Sequence, residues 1–245
     1  MDPIAASILV NYEGIQARIR KAAELSGRSA GEICPVVVTK LQTVEVIRAA
    51  YSVGIRTFGE NYPQEAEQKI KQLTDLEGAA WHMIGQFQSR KSAMIARNFQ
   101  MIHSIDSVPH ALKLDAALKL ENKSMPALLE INVGGEESKS GWRAERQADW
   151  ERMLPEIELL LHLPNLRIQG LMAMPPLADR PELSRPYFQC LYQMADFLNQ
   201  QFSSQPFSSL SMGTSSDFEV AIQEGATMVR IGQAILGPRP SQPRG

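Results

Sequence analysis

The chain has 245 residues, 44% of them hydrophobic, which allows one large core, and α/β barrels reach this length as a single domain. A formal net charge of −2 gives no field to hold a polyanion, which argues against a nucleic-acid partner. Two cysteines, Cys34 and Cys190, exclude a disulfide framework and a cysteine-built metal site, and they fit a reducing cytoplasm.

The opening segment MDPIAASILVNYEGIQ lacks the basic and long apolar regions of an export signal, and no window approaches the ~18 apolar residues of a membrane span. A cytoplasmic protein without a membrane partner is expected. Ile8, Tyr12, Ile15, Ile19 and Ala22 recur at helical spacing, and Gly27 stops this first helix, which is expected to cap the floor of a barrel. PVVVT at 35–39 is apolar on both faces, the pattern of a strand inside a covered parallel sheet or barrel. Lys40 ends it. Partial desolvation there lowers an amine's pKa and suits it to Schiff-base chemistry, while a lysine snorkelling to solvent from a strand end is the plainer account.

Strands then alternate with helices. Short strands are expected over 56–59, 81–85, 101–105, 127–133, 166–172, 209–212 and 228–232, with amphipathic or capped helical runs between them. The segment GGEESKSGW at 134–142 is a candidate mobile loop over a site. Eight strands with no long structureless insertion point to a single-domain (β/α)₈ barrel over 1–237, followed by a proline-rich tail over 238–245 that is expected to be disordered. No Walker loop, GxGxxG or HExxH occurs.

Barrel sites gather at the carboxyl ends of strands, with phosphate held by the loops after the last two. Here those loops supply Ser211, Gly213, Thr214, Ser215 and Ser216, then Gly232 and Gln233. Hydroxyls, a helix amino terminus and close glycine backbone make a phosphate cup, although a serine-rich capping turn explains 216–217 equally well. Arg230 alternates with apolar Val229 and Ile231, so it faces the barrel interior and needs a planar acceptor or an anion. An ion pair with Glu130 or Glu60 is the structural alternative. His82 and His103 read as hydrogen-bonded core histidines. Asn61 and Asn132 stand at strand ends, where they either donate to a ligand oxygen or shape their turns.

The ordered set VVVTK, FGENYPQEA, WHMIGQFQSRK, IHSID, EINVGGEESKSG, GLMAMPP and SMGTSSDFEVAIQEGATMVRIGQAILG resembles the pyridoxal 5′-phosphate (PLP) homeostasis protein family over nearly the whole chain. That resemblance implies a barrel like the alanine racemase amino-terminal domain, with PLP held as an internal aldimine. It makes Lys40 the Schiff-base lysine, sets Arg230 at the pyridine nitrogen, and gives the phosphate to 211–216 and 232–233; Asn61, at its strand end, is expected at the cofactor as well. It implies a role in intracellular PLP and amino-acid/keto-acid homeostasis without substantial turnover, a monomer, and PLP-dependent enzymes as partners. No metal site and no catalytic residue are expected. Family members usually read VSK, SMGMS and IGT or IGS where this chain has Thr39, Thr214 and Gln233, so Gln233 is expected to meet the phosphate through its backbone N–H and not its side chain. An amino-acid racemase is the alternative, although that chemistry needs two bases on opposite faces of the substrate carbon. A barrel enzyme acting on a sugar phosphate would use the same cup but leave Lys40 and Arg230 unemployed unless it were a Schiff-base aldolase.

Overall fold

A computed structural model describes residues 2–204 and 207–239; most of the tail expected to be disordered, residues 240–245, lies outside the described residues. Eight parallel strands close into a barrel: β1 (Cys34–Val38), β2 (Thr57–Glu60), β3 (Ala80–Met83), β4 (Met101–Ile105), β5 (Met125–Asn132), β7 (Leu166–Ala173), β8 (Ser209–Thr214) and β9 (Met228–Ile231). Closure comes from β1 pairing with β9, with Val36 opposite Arg230, and from β4 pairing with β5. A two-residue strand, β6 (Trp142–Arg143), adds beside the end of β5 and was not foreseen.

The valine triplet explains its own place. Val37 joins the large core between barrel and helices, and Val36 is equally buried while facing the interior by alternation. Leu128, Met101 and Met172 form a separate small apolar cluster inside the barrel, below the polar residues of its upper end. The outer ring is α2 (Val44–Ser52), α3 (Pro63–Gln72), α4 (Ser92–Asn98), α5 (Val108–Leu120), α6 (Gln147–Leu161), α7 (Arg185–Gln201), α8 (Phe218–Gln223) and the single turn α9 (Gln233–Leu236).

The first helix, α1 (Pro3–Leu25), does not cap the floor. It packs against α2, α8 and α9, on the outside of the barrel where β9 meets β1. The reason is the brevity of α9: four residues cannot cover that seam, so α1 takes the eighth helix's position. Ile8, Ile15 and Ile19 are almost wholly buried there, each contributing roughly 1.5–3 kcal/mol. Asn11 ties the helix to α9 by donating to the Ile235 carbonyl at 3.1 Å.

The 134–142 loop is fastened at several points. The Asn132 amide donates to the carbonyls of Glu136 and Lys139, Lys139 Nζ donates to the Met174 carbonyl, and β6 ends the loop by pairing with β5. Asn132 therefore shapes its turn, the second of its two readings.

Candidate functional site

Lys40 follows β1 in a turn at the barrel's carboxyl end and is half-buried. Among the described residues it has no hydrogen-bond or ion-pair partner. Burial lowers its pKa, the positive charges of Arg239 and Arg230 push the same way, and Glu60 and Glu65 partly oppose them. A free amine with a depressed pKa is the state a nucleophilic lysine requires.

Lys40 lines a cavity of about 230 Å³ together with Asn61, Thr214, Ser215, Arg230, Gly232 and Gln233. That is smaller than the roughly 300–1,000 Å³ of drug-sized ligand pockets and suits one small ring. Asn61 Oδ1 is buried without a hydrogen-bond partner among the described residues, so it is open to a donor. In the loop after β8, the Asp217 carboxylate accepts from both the backbone N–H and the hydroxyl of Thr214, at 2.7 and 3.1 Å. Those Thr214 groups are committed to the turn, and an oxyanion would meet the N–H groups and hydroxyls that remain on the two loops.

Arg230 is 5% exposed and is fixed by three bonds: Nη1 to the Ser211 carbonyl at 2.7 Å and to Ser211 Oγ at 2.6 Å, and Nη2 to the Ala173 carbonyl at 2.9 Å. The ion-pair alternative does not hold. Glu60 is on the outer side of the sheet with Lys69 at 2.9 Å, and Glu130 influences Arg230 only at longer range. Burial depresses the guanidinium to about 10, with Asp217 and Glu130 acting in the opposite direction. Behind Arg230 runs a chain of contacts: Ser211 Oγ to His103 Nδ1 at 2.9 Å, and His103 Nε2 to His82 Nδ1 at 3.0 Å. Burial lowers the pKa of both imidazoles, His82 to about 4.

Ser211, Gly213 and Ser216 are not among the cavity's lining residues. Ser211 faces inward and is fully buried, its hydroxyl engaged by Arg230 and His103, so it supports Arg230. Gly213 has φ of 89°, and a Cβ there would lie 2.9 Å from Phe218 Cα, so it permits the close turn from β8 into α8. The Ser216 hydroxyl lies 3.3 Å from that of Thr214, and neither it nor Asp217 caps α8 through its side chain. Sequence reasoning missed Arg239, which lines the cavity; a proline-rich context had placed it in a disordered tail. Among the described residues no group of His, Cys, Asp and Glu is placed to hold a metal ion, and no helix is long and apolar enough to cross a membrane.

Fold and site together define a (β/α)₈ barrel protein with a cavity at the carboxyl ends of its strands that the Lys40 amine and the Arg230 guanidinium both line. The family model "Alanine racemase, N-terminal domain" matches residues 10–240. A relative from Aquifex aeolicus called "Pyridoxal phosphate homeostasis protein" is 40% identical over 224 residues, 91% of this chain and 94% of that protein. The structure of PipY from Synechococcus elongatus PCC7942 with PLP bound is matched at a TM-score of 0.77 and 33% identity, over 90% of this chain and 100% of that one. An alanine racemase from Clostridium difficile shares the fold at a TM-score of 0.69 and 16% identity, over 96% of this chain and 57% of that one. The chain belongs to the pyridoxal phosphate homeostasis protein family. Its relatives carry the name of homeostasis proteins, not of racemases.

Proposed function

We propose that this protein binds PLP reversibly through Lys40, and that by holding the cofactor it takes part in cytoplasmic PLP and amino-acid/keto-acid homeostasis without substantial turnover. The observation that carries the reading is the unpartnered, partly desolvated Lys40 amine in a cavity shared with Arg230 and the two glycine-bearing loops. The residues present suit the cofactor: a primary amine for its aldehyde, N–H and hydroxyl donors for its phosphate, and a buried unpartnered Asn61 oxygen for a donor. When bound, PLP supplies an aldehyde carbon that condenses with an amine and an aromatic ring that withdraws electrons.

The protein's own groups do the rest. Desolvation and the neighbouring guanidinium charges raise the neutral fraction of Lys40 near pH 7, which is the form able to attack a carbonyl. Ser215, Gly232 and Gln233 offer cavity-facing groups to a phosphate dianion, where charge-assisted hydrogen bonds are strongest. Arg230 is a donor with no proton-accepting capacity. Set at a ring nitrogen, it leaves that nitrogen unprotonated and the ring a poorer electron sink, which suits a holder better than a racemase. Cys34 and Cys190 are free thiols, consistent with a reducing compartment. A monomer that hands cofactor to PLP-dependent enzymes belongs to the same proposal.

Protein purified from cells and treated with borohydride is expected to lose its visible absorbance and to retain the cofactor on the peptide containing Lys40. Label on another peptide, or an unchanged spectrum in Lys40→Ala, would overturn the assignment.

A further inference from the structure

The residues flanking Lys40 are gripped by three side chains that do not line the cavity. Gln42 donates its backbone N–H to the Thr39 carbonyl at 3.0 Å, closing a tight turn with Lys40 and Leu41 at its centre. Leu41 has φ of 61°. At the second central position of such a turn this conformation is ordinarily supplied by glycine or asparagine. A leucine persists there only when its surroundings over-determine the backbone.

Those surroundings are Glu65 and Lys69 of α3 and Glu60 at the end of β2. Glu65 Oε1 accepts the Leu41 N–H at 2.6 Å, after the residue in question. Lys69 Nζ donates to the Thr39 carbonyl at 2.8 Å, before it. The same ammonium lies 2.9 Å from Glu60 Oε1 and 2.5 Å from Glu65 Oε1, so each of its protons has an acceptor. Glu60 Oε1 also accepts the Thr39 hydroxyl at 2.7 Å. Glu60 is wholly buried and Lys69 is 7% exposed. Burying such ions is a poor way to gain stability, since apolar packing of similar volume does as well or better. The cluster is better explained by what it fixes, which is the backbone on both sides of Lys40.

The geometry points to Glu60, Glu65 and Lys69 as positioning residues that hold the turn at 39–42 in its strained form and thereby aim the Lys40 amine into the cavity. Thr39 and Glu60 face Lys69 of α3 on the outer side while Lys40 lines the cavity, so the three act on Lys40 through its neighbours' backbone. The inference rests on the reading of Lys40 as the cofactor-bearing residue.

The test uses the full chain, with PLP titrated into cofactor-free protein and the Lys40 amine probed separately by competitive acetylation with acetic anhydride. Glu65→Ala removes the acceptor for Leu41 and is expected to weaken PLP binding about tenfold, the loss of one charge-assisted hydrogen bond, and to change the Lys40 acetylation rate. Glu65→Gln, which keeps an acceptor oxygen, should recover most of both. Leu41→Gly in the Glu65→Ala background should also recover binding, because glycine adopts the turn without help. Leu41→Val leaves the cluster intact and places a β-branched residue where φ is positive, so it too should weaken binding about tenfold. Wild-type affinity and acetylation in Glu65→Ala or Leu41→Val, or no recovery in the double variant, would overturn the inference. Borohydride fixation at a lysine other than Lys40 in the wild-type protein would instead overturn the reading beneath it.

Discussion

Ser211→Ala removes one hydroxyl from the middle of the barrel and breaks two hydrogen bonds. Arg230 Nη1 donates to that oxygen at 2.6 Å, so the hydroxyl proton goes to His103 Nδ1 at 2.9 Å. His103 then carries its proton on Nε2 and donates to His82 Nδ1 at 3.0 Å. The bond from a charged donor contributes roughly 1.5–3 kcal/mol, and leaving a buried imidazole nitrogen unpaired costs roughly 1–3 kcal/mol more. Arg230 keeps its bonds to the carbonyls of Ser211 and Ala173, so the expected loss lies in the lower half of the combined range, about 3 kcal/mol. That is a large share of the roughly 5–15 kcal/mol by which domains are stable. Urea unfolding of cofactor-free protein at pH 8, where both histidines are neutral, gives the number. Repeating it with His103→Leu as background should shrink the loss, because no imidazole then remains to be orphaned. A loss below about 1 kcal/mol, or the same loss in both backgrounds, would refute the chain as drawn. So would a nitrogen NMR spectrum showing the proton on His103 Nδ1.

Three further outcomes are expected. Burial raises Glu130 from 4.5 to about 7, helped by Asp106 and opposed by Arg230. The folded protein therefore holds a proton that the unfolded chain releases, and this contribution, about 3 kcal/mol, is full below pH 4.5 and is lost as pH rises through 7. Glu130→Gln should gain on the wild type between pH 5 and pH 9 in urea midpoint, and parallel profiles would count against the burial argument. Gly213→Ala puts a Cβ 2.6 Å from Ala221 Cβ at φ of 89°, so it should lower stability by about 1–3 kcal/mol and weaken PLP binding; wild-type values in calorimetry and titration would show that the loop relaxes freely. Pyridoxal, which lacks the phosphate, should bind about a hundredfold or more weakly than PLP, as expected when two or more charge-assisted hydrogen bonds are lost. Equal affinities by spectroscopic titration would dismiss the phosphate cup.

The barrel was legible because its strands announce themselves locally. Three successive valines need apolar neighbours on both faces, and turn residues mark the strand ends within a residue or two of where they fall. Lys40 and Arg230 could be placed in one site by strand alternation and the chemistry of barrel ends. The surroundings of Ser211 could not be read, because a hydroxyl in a loop motif carries no sign of the inward neighbours His103 and Arg230 that engage it. Lys69 carries the same lesson. Its place in a lysine- and glutamate-rich helix suggests solvent, and only the packing of α3 against β2 brings it to buried Glu60, a carboxylate that sequence reasoning had offered to Arg230. The position of α1 was unreadable for a further reason: it depends on how little of the ring α9 covers, a property of closure and not of any segment.

The filling of the eighth helical place by the first helix has a consequence for synthesis. Ribosomes add roughly 5–20 residues per second, so the nearly 200 residues between the end of α1 and the start of α8 take on the order of 10–40 s to make. During that interval α2 can shelter one flank of α1, but the side meant for α8 and α9 has no native covering. The nascent barrel therefore carries an apolar stripe bearing Ile8, Ile15 and Ile19 through most of its translation, and its last two helices act as the latch that closes over the first.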